Sequence, residues 1–283
     1  MIYETFKFSN SKNQIPSIKT YILEKTDDPQ TSARPFILVV PGGGYDHYGR
    51  HEQEQIALKM NSFGFSSAVL HYSLKPTKFP QPLLDAAQAV SFIRKNSEKW
   101  NINPDKIILL GFSAGGHVAA SLGAYWNSNL ISAFSELSPQ EIKPNALILS
   151  YPVITADKDF CHSGSINALL ENLSEDEKKN LLKITNSENL RDVVSIEKHI
   201  TKDFPPSFIW HTLADKAVPP ENTIFMIQAL RHANIEFEYH LFSRGQHGLA
   251  LSCAQTSNAD GSNSEKECEI WPELMKNWLT LLN

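Results

Sequence analysis

The sequence predicts an α/β fold in which a mostly parallel central sheet is flanked by helices on both faces. Short apolar runs recur along the chain, and such runs suit strands that are covered on both faces. They alternate with segments whose apolar residues return at helical spacing, and repeated strand–helix–strand units build parallel sheets. The length of 283 residues, 41% of them hydrophobic, provides for a large buried core. We therefore expect residues 1–283 to form a single domain.

Eight strands are expected. Two stretches near the N-terminus alternate enough to be strands, and six later stretches complete the sheet. The predicted strands are residues 3–8, 17–23, 36–40, 67–70, 107–110, 146–150, 207–210 and 236–242. The main helices predicted between and after them are residues 52–63, 83–95, 116–125, 221–232 and 271–282.

One long segment, residues 155–204, interrupts this alternation between two strands of the sheet. It contains patterns of short helices near residues 165–170 and 175–182. An insertion at this point is predicted to form a small helical cap over the strand ends. A second irregular segment, residues 251–269, is rich in Ser and Asn and is predicted to be a flexible loop before the last helix.

Composition and charge argue against several classes of protein. The net charge of −5, with scattered Lys and Arg, argues against nucleic-acid and anionic-membrane partners. No apolar run is long enough to span a bilayer, and the first residues lack the pattern of a secretory signal. Three cysteines are too few for a disulfide framework, although Cys253 and Cys268 flank one loop and a bridge between them is the alternative to free thiols. We expect a cytoplasmic protein; a homodimer is the assembly suggested by the frequency of symmetric dimers.

A serine lies where a predicted strand turns into a predicted helix. Residues 111–115 read Gly-Phe-Ser-Ala-Gly, directly after the apolar run that ends at Leu110. The pattern G-x-S-x-G is weak alone, but between a strand and a helix it is typical of a nucleophile on a sharp turn. The helix N-terminus beneath such a turn favours an anion. Ser113 is therefore the candidate nucleophile.

The partners that a nucleophilic serine needs follow two later strands. A serine hydroxyl needs a base within hydrogen-bond reach and a group that orients the base. Asp215 follows the strand at 207–210, and His247 follows the last strand, between glycines that allow a loop to bring its ring back over Ser113. Asp157 and Asp159, which follow an earlier strand, are the less favoured alternative for the acid. His117 is predicted to be a packing or hydrogen-bonding residue.

Three glycines follow the strand at 36–40, and their amides can face a ligand without interfering side chains. We expect the backbone N–H groups of Gly43, Gly44 and Ala114 to hold a developing oxyanion. The alternative of a phosphate cradle would need a Lys-Ser/Thr or G-x-G-x-x-G pattern, which is missing. Tyr45 and Tyr48 are predicted either to line an acyl or sugar pocket or to pack in the core. No His, Cys and Asp cluster has metal-ligand spacing, and no cofactor is expected.

These motifs together resemble the α/β-hydrolase superfamily, and more narrowly the bacterial acetyl-xylan and feruloyl esterases, a group also called sugar hydrolases. The resemblance covers the chain from about Phe36 to the last helix. It depends on residues 41–45 (Pro-Gly-Gly-Gly-Tyr), on the Ser113 turn, on Asp215 before Val-Pro, and on His247 before Gly. The chain departs from frequent family patterns at Pro41, at Thr212 and at Tyr72-Ser73, and these departures leave the acyl group open.

The resemblance implies a serine carboxylester hydrolase that forms an acyl-enzyme on a small-molecule ester. It further implies short acyl groups, especially acetyl, on sugars or oligosaccharides. Spacing does not separate ester from amide cleavage, so an arylformamidase or a small peptidase with the same three residues is one alternative. A non-catalytic, ligand-binding member of the fold is the other.

Overall fold

Eight strands form one sheet in a computed structural model that describes residues 1–8, 15–25 and 33–282. The strands are β1 (Thr5–Lys7), β2 (Ser17–Tyr21), β3 (Arg34–Val40), β4 (Ser66–His71), β5 (Ile102–Phe112), β6 (Ala146–Ser150), β7 (Ser207–Thr212) and β8 (Phe237–Phe242). Their order is β1-β2-β4-β3-β5-β6-β7-β8. β2 is antiparallel to β1 and β4, and the pairings from β4 to β8 are parallel. The predicted, mostly parallel sheet is confirmed.

The central strands are apolar throughout because both of their faces are covered. In β3, the run from Phe36 to Val40 is completely buried, and Leu38 is paired with Ala68 of β4 and Leu109 of β5. β5 is longer than predicted, since it begins at Ile102. Its polar beginning carries no apolar run, and the register with β3 shifts between Arg34 and Phe36, so the sequence pattern did not indicate this extension.

Helices cover both faces of the sheet. Within the described residues they are α1 (Glu54–Ser62), α2 (Gln81–Lys95), α3 (Ser97–Trp100), α4 (Ala114–Tyr125), α5 (Asn129–Ser132), α6 (Pro139–Ile142), α7 (Ser163–Leu170), α8 (Glu175–Thr185), α9 (Leu190–Val193), α10 (Glu221–His232) and α11 (Trp271–Leu281). One core packs α2, α4 and α10 against the sheet, and a second core packs α1 and α11 against its other face. The one-turn helices α3, α5, α6 and α9 were not predicted, because four residues are too short to show a helical period.

The segment between β6 and β7 contains α7, α8 and α9 and a 3₁₀ turn, Ile196–Lys198. α8 begins at a capping box in which Ser174 and Glu177 satisfy each other's backbone amides. The segment is bound to α4, because Tyr125 Oη donates to the Val193 carbonyl at 2.7 Å and His117 Nε2 lies 2.8 Å from the Val194 carbonyl. These bonds join the insertion to the helix that follows Ser113.

Residues 251–269, predicted to be a flexible loop, are more buried and more extensively hydrogen-bonded than that prediction implies. Ser252 and Thr256 are completely buried, and Ser252 Oγ exchanges 2.8 Å hydrogen bonds with the Glu265 backbone. Such internal bonding is invisible in the local composition. Cys161, Cys253 and Cys268 are all free thiols. Across the described ranges, no helix has both the length and the apolar character needed to cross a membrane.

Candidate active site

Ser113 lies on the tight turn between β5 and α4. Its φ of +51° is unusual for a residue with a side chain, and such strain is concentrated at functional sites. The turn is held because the Ser113 amide donates to the Ser150 carbonyl at 3.0 Å. It also packs closely on the end of β3: a Cβ on Gly115 would lie 2.1 Å from the Val40 carbonyl oxygen. Glycine is therefore required at that position by close approach.

Three side chains predicted from separate parts of the chain converge at this turn. His247 Nε2 lies 2.8 Å from Ser113 Oγ, and His247 Nδ1 lies 2.6 Å from Asp215 Oδ2. They meet because β5, β7 and β8 are parallel, so their carboxyl ends lie at one edge of the sheet. The structure thus brings together the three residues that the sequence analysis selected as nucleophile, acid and base.

The Asp215 carboxylate is completely buried and fully hydrogen-bonded. Its Oδ1 accepts from the backbone amides of Ala217 at 2.9 Å and Val218 at 3.0 Å. Its Oδ2 contacts His247 and also His211 Nε2, at 3.2 Å. Burial acts to raise the pKa of Asp215, but the hydrogen bonds from His211 and His247 outweigh it and hold that pKa well below the ordinary 3.8. The carboxylate is therefore ionised at neutral pH.

An ionised Asp215 determines which nitrogen of His247 carries the proton. The carboxylate can only accept, so Nδ1–H of His247 donates to it and Nε2 is left with a lone pair toward Ser113. The ring is also held by packing, since the ring of Tyr151 meets it edge to face with centroids 4.9 Å apart. His247 is thus oriented to accept the Ser113 proton.

His211 is a part of the site that the sequence analysis passed over. It is completely buried, and its Nε2 lies 3.0 Å from the Val218 carbonyl as well as near Asp215. A carbonyl can only accept, so the His211 proton is on Nε2 and points at both oxygens. The available signal was its place at the end of β7, four residues before Asp215.

The glycine loop after β3 carries free amides beside Ser113. Gly43 has φ of +115°, and a Cβ there would lie 2.1 Å from the His47 carbonyl oxygen, so only glycine fits this loop. In the part of the chain that the structure describes, the backbone amides of Gly43, Gly44 and Ala114 donate no hydrogen bond to a protein acceptor. Gly43 and Gly44 line the same cleft as Ser113, and Ala114 begins α4. This arrangement can receive an anion.

A buried carboxylate joins three loops around the site. Glu52 is 6% exposed; its Oε2 accepts from the Gly42 amide at 2.7 Å and its Oε1 accepts from Tyr151 Oη at 2.8 Å. Tyr151 Oη accepts in turn from the Ala250 amide at 2.9 Å. Burial, and next the Glu52 charge, raise the pKa of Tyr151 well above its ordinary range. The network connects the glycine loop, the end of β6 and the loop that carries His247. Sequence patterns gave no sign of it.

A cleft of about 530 Å³ opens over Ser113. Its lining comes mainly from the glycine loop and the residues that follow it, from the loop of His247 and from the start of α7. The lining residues are Gly43, Gly44, Asp46, His47, Gly49, Arg50, His51, Glu52, Lys75, Ser113, His162, Gly164, Ala168, His247, Gly248 and Asn263. Ten of these 16 residues carry polar or charged side chains, which gives the cleft many groups that can hydrogen-bond to a ligand.

Neither tyrosine that was predicted as a possible pocket residue lines this cleft. Tyr45 is 2% exposed, and its hydroxyl lies 2.6 Å from His117 Nδ1. Tyr48 Oη donates to the Tyr72 carbonyl. The pocket prediction for Tyr45 and Tyr48 is therefore corrected to core packing, the alternative reading. At Tyr45 a φ of +65° accompanies a side chain directed into the core.

His117 has the packing role predicted for it. Burial lowers its pKa to about 4, so the ring is neutral, with its Nε2 proton directed at the Val194 carbonyl. Asp157 and Asp159, the alternative acids, are exposed, and the Asp157 carboxylate accepts from the Asp159 amide. Among the residues with described positions, no group of three or more His, Cys, Asp or Glu side chains could hold a metal ion.

Known proteins are similar to this chain in sequence. The BD-FAE family model matches residues 24–230. The chain is 35% identical over 251 residues to endo-1,4-beta-xylanase B of Butyrivibrio fibrisolvens, across 87% of this chain and 36% of that protein. It is 31% identical over 250 residues to an acetylxylan esterase of Xylanibacter ruminicola, across 84% of this chain and 48% of that protein. The chain thus spans about a third and about half of the length of these relatives.

A solved structure is similar over almost the whole chain. It is the acetyl ester-xyloside bifunctional hydrolase from Caldicellulosiruptor lactoaceticus, with a TM-score of 0.78 and 34% sequence identity. The match covers 97% of this chain and 91% of the other.

Proposed function

The chain belongs to the BD-FAE family and has the α/β-hydrolase fold, and from this premise we propose that it is a serine carboxylester hydrolase that acts through an acyl-enzyme. The observation that carries the proposal is the continuous chain of hydrogen bonds from Ser113 through His247 to buried Asp215, at 2.8 and 2.6 Å. Free backbone amides beside Ser113 supply the second requirement of acyl transfer, an oxyanion site.

Acylation begins when Ser113 Oγ attacks the carbonyl carbon of the ester. The hydroxyl proton passes to His247 Nε2, and the carbonyl oxygen becomes the oxyanion of a tetrahedral intermediate. When the intermediate collapses, the bond to the alcohol oxygen breaks and His247 donates its proton to that oxygen. The alcohol leaves, and the acyl group remains esterified to Ser113.

Deacylation repeats these steps with water in place of the serine. His247 takes a proton from water, the hydroxide attacks the acyl carbonyl, and the proton then returns to Ser113 Oγ as the carboxylic acid departs. Asp215 stays ionised throughout and stabilises the imidazolium that forms twice in each cycle. A general base of this type contributes about 10² to 10⁴ in rate.

The oxyanion receives hydrogen bonds from the amides of Gly43, Gly44 and Ala114. Removal of one such donor costs roughly 2.7 to 4 kcal/mol of transition-state stabilisation. Ala114 is the first residue of α4, so the positive end of the helix dipole adds to the same effect. Because Glu52 already accepts the Gly42 amide, that group is not one of the donors.

The proposed substrates are short-chain esters, chiefly acetates, of sugars or oligosaccharides. The ten polar or charged side chains that line the cleft support a polar alcohol, and its single hydrocarbon side chain, Ala168, offers little contact to a long acyl chain. The acetylxylan esterase named among the relatives supports the same class.

The test compares the unmodified protein with Ser113→Ala on p-nitrophenyl esters of two, four and eight carbons and on an acetylated xylo-oligosaccharide. We expect turnover to fall with acyl length, and Ser113→Ala to lower kcat by about 10⁴-fold or more. Ser62→Ala, an exposed serine in α1, is the matched control and keeps full activity. Absence of ester turnover in the unmodified protein, or a marked preference for N-formylkynurenine, would overturn the proposal.

A further inference from the structure

His162 is one of three histidines that line the cleft and that the proposed chemistry does not use; the others are His47 and His51. His162 is the N-cap of α7, in the insertion between β6 and β7, and it is half-buried. The ring lies beside the glycine loop, since its Cε1 is 3.7 Å from the position that a Cβ on Gly44 would take. His162 therefore lies beside the amides proposed to hold the oxyanion, in the cleft that an ester would enter.

The helix cap determines the tautomer of this ring. The backbone amide of Ser165 donates to His162 Nδ1 at 3.2 Å, and Ser165 Oγ lies 2.9 Å from the same nitrogen. A backbone amide can only donate, so Nδ1 is unprotonated. Burial, and next the neighbouring His247, lower the pKa of His162, which keeps the ring neutral. The proton of the neutral ring is consequently on Nε2.

That Nε2–H has no protein acceptor within residues 1–8, 15–25 and 33–282. A half-buried donor without a partner in the protein can donate to an acceptor on a ligand that enters the cleft. The carbonyl oxygen of an ester already has three backbone donors at the proposed oxyanion site. The oxygens that remain to be bound are those of the alcohol portion, which in a sugar are numerous and accept readily.

We propose that His162 is a substrate-binding residue whose Nε2–H donates a hydrogen bond to a sugar oxygen of the alcohol portion of the ester. The proposal deepens the proposed function and rests on it. This hydrogen bond would favour sugar esters over p-nitrophenyl esters, because p-nitrophenol offers no comparable oxygen beside the ester. One residue of the insertion thereby distinguishes sugar esters from aryl esters at the same nucleophile.

The variant His162→Asn isolates this hydrogen bond from the structural role of the cap. Asn is a favoured N-cap, and its Oδ1 can accept from the Ser165 amide as Nδ1 does. Its shorter side chain removes the donor at the Nε2 position. We expect kcat/KM for an acetylated xylo-oligosaccharide to fall about 5- to 20-fold, mainly through KM, and kcat/KM for p-nitrophenyl acetate to stay within about twofold.

Two further variants complete the kinetic test. His162→Gln reaches far enough to place an amide N–H near the original Nε2 and should recover most of the lost activity. His232→Gln, at an exposed histidine that ends α10, is the matched control and should change neither substrate. Equal losses on both substrates, or no loss on the sugar ester, would overturn the role of His162.

A binding experiment separates this proposal from the esterase proposal. Xylotriose is titrated by NMR into Ser113→Ala, with and without His162→Asn, so that no catalysis is needed. Affinity about fivefold weaker in the double variant supports the hydrogen bond; equal affinity, or no binding to either protein, refutes it. Failure of the proposed function is recognised independently, by lack of p-nitrophenyl acetate turnover in the unmodified protein.

Discussion

Replacement of Tyr151 by Phe removes one oxygen atom from the network that joins the loops of the candidate site. That hydroxyl donates to Glu52 Oε1 at 2.8 Å and accepts from the Ala250 amide at 2.9 Å. The aromatic ring, with its edge-to-face contacts to Trp210 and His247, is retained. The variant therefore changes hydrogen bonding with little change in packing.

The expected loss of stability follows from the two groups that lose their partner. An unsatisfied buried amide costs about 1–3 kcal/mol, and a buried carboxylate oxygen costs at least as much. Together they predict a fall of about 3–5 kcal/mol in the free energy of unfolding, which corresponds to a decrease of about 10 °C in Tm. Since the network also positions Gly42 and the His247 loop, we expect kcat/KM to fall about tenfold.

Urea unfolding followed by tryptophan fluorescence measures the free energy, and p-nitrophenyl acetate turnover measures the activity. Tyr3→Phe is the control, because Tyr3 is 53% exposed and its hydroxyl should contribute less than about 0.5 kcal/mol. A loss below about 1 kcal/mol in Tyr151→Phe, with unchanged turnover, would refute the argument that the network holds the loops.

Three other predictions concern the acid and the glycine loop. Asp215→Asn keeps the side chain's size but removes the charge that sets the His247 tautomer, so kcat for p-nitrophenyl acetate should fall about 10⁴-fold; a fall below tenfold would contradict the assigned role. Gly43→Ala should lower kcat about 10²- to 10³-fold with little change in KM, because its Cβ would collide with the His47 carbonyl and displace an oxyanion donor. An unchanged kcat would show that the glycine loop does not hold the oxyanion. The pKa of Asp215 is lowered on folding, so the stabilisation from its charge is complete well above the unfolded value of 3.8 and is lost as the pH falls toward the lower folded value. The difference in unfolding free energy between the unmodified protein and Asp215→Asn should therefore shrink as the pH is lowered from 5 to 3, as measured by urea titrations. A difference that stays constant over this range would contradict the assignment of the stabilisation to the Asp215 charge.

Local sequence signals predicted the eight strands, apart from the polar beginning of β5, and the three residues that converge at the candidate site. The run from Phe36 to Val40 is apolar because both faces of β3 are covered, so the residue types alone predict that this strand is buried. Ser113 was recognisable because a serine between glycines at a strand-to-helix turn is a local pattern. Asp215 and His247 could be selected because parallel strands end at one edge, so a residue's position after its strand predicts its neighbours.

The contacts that sequence reasoning missed all depend on side-chain directions from separate elements. Glu52, Tyr151 and Ala250 are far apart in the chain, and nothing in the composition around Glu52 indicates that its carboxylate meets both of the others. The choice between pocket and core, which the sequence left open for Tyr45, has the same origin, because the direction of its ring depends on the backbone of a single turn residue.

His162 and His211 show most clearly which features the sequence predicts and which depend on the tertiary structure. Each is an ordinary histidine in the sequence, and each acquires a defined proton only where a backbone amide or carbonyl meets one ring nitrogen. Hydrophobic periodicity and glycine placement act over a few residues and can be read along the chain. Hydrogen bonds act over about 3 Å in three dimensions, so their partners are known once the chain is folded.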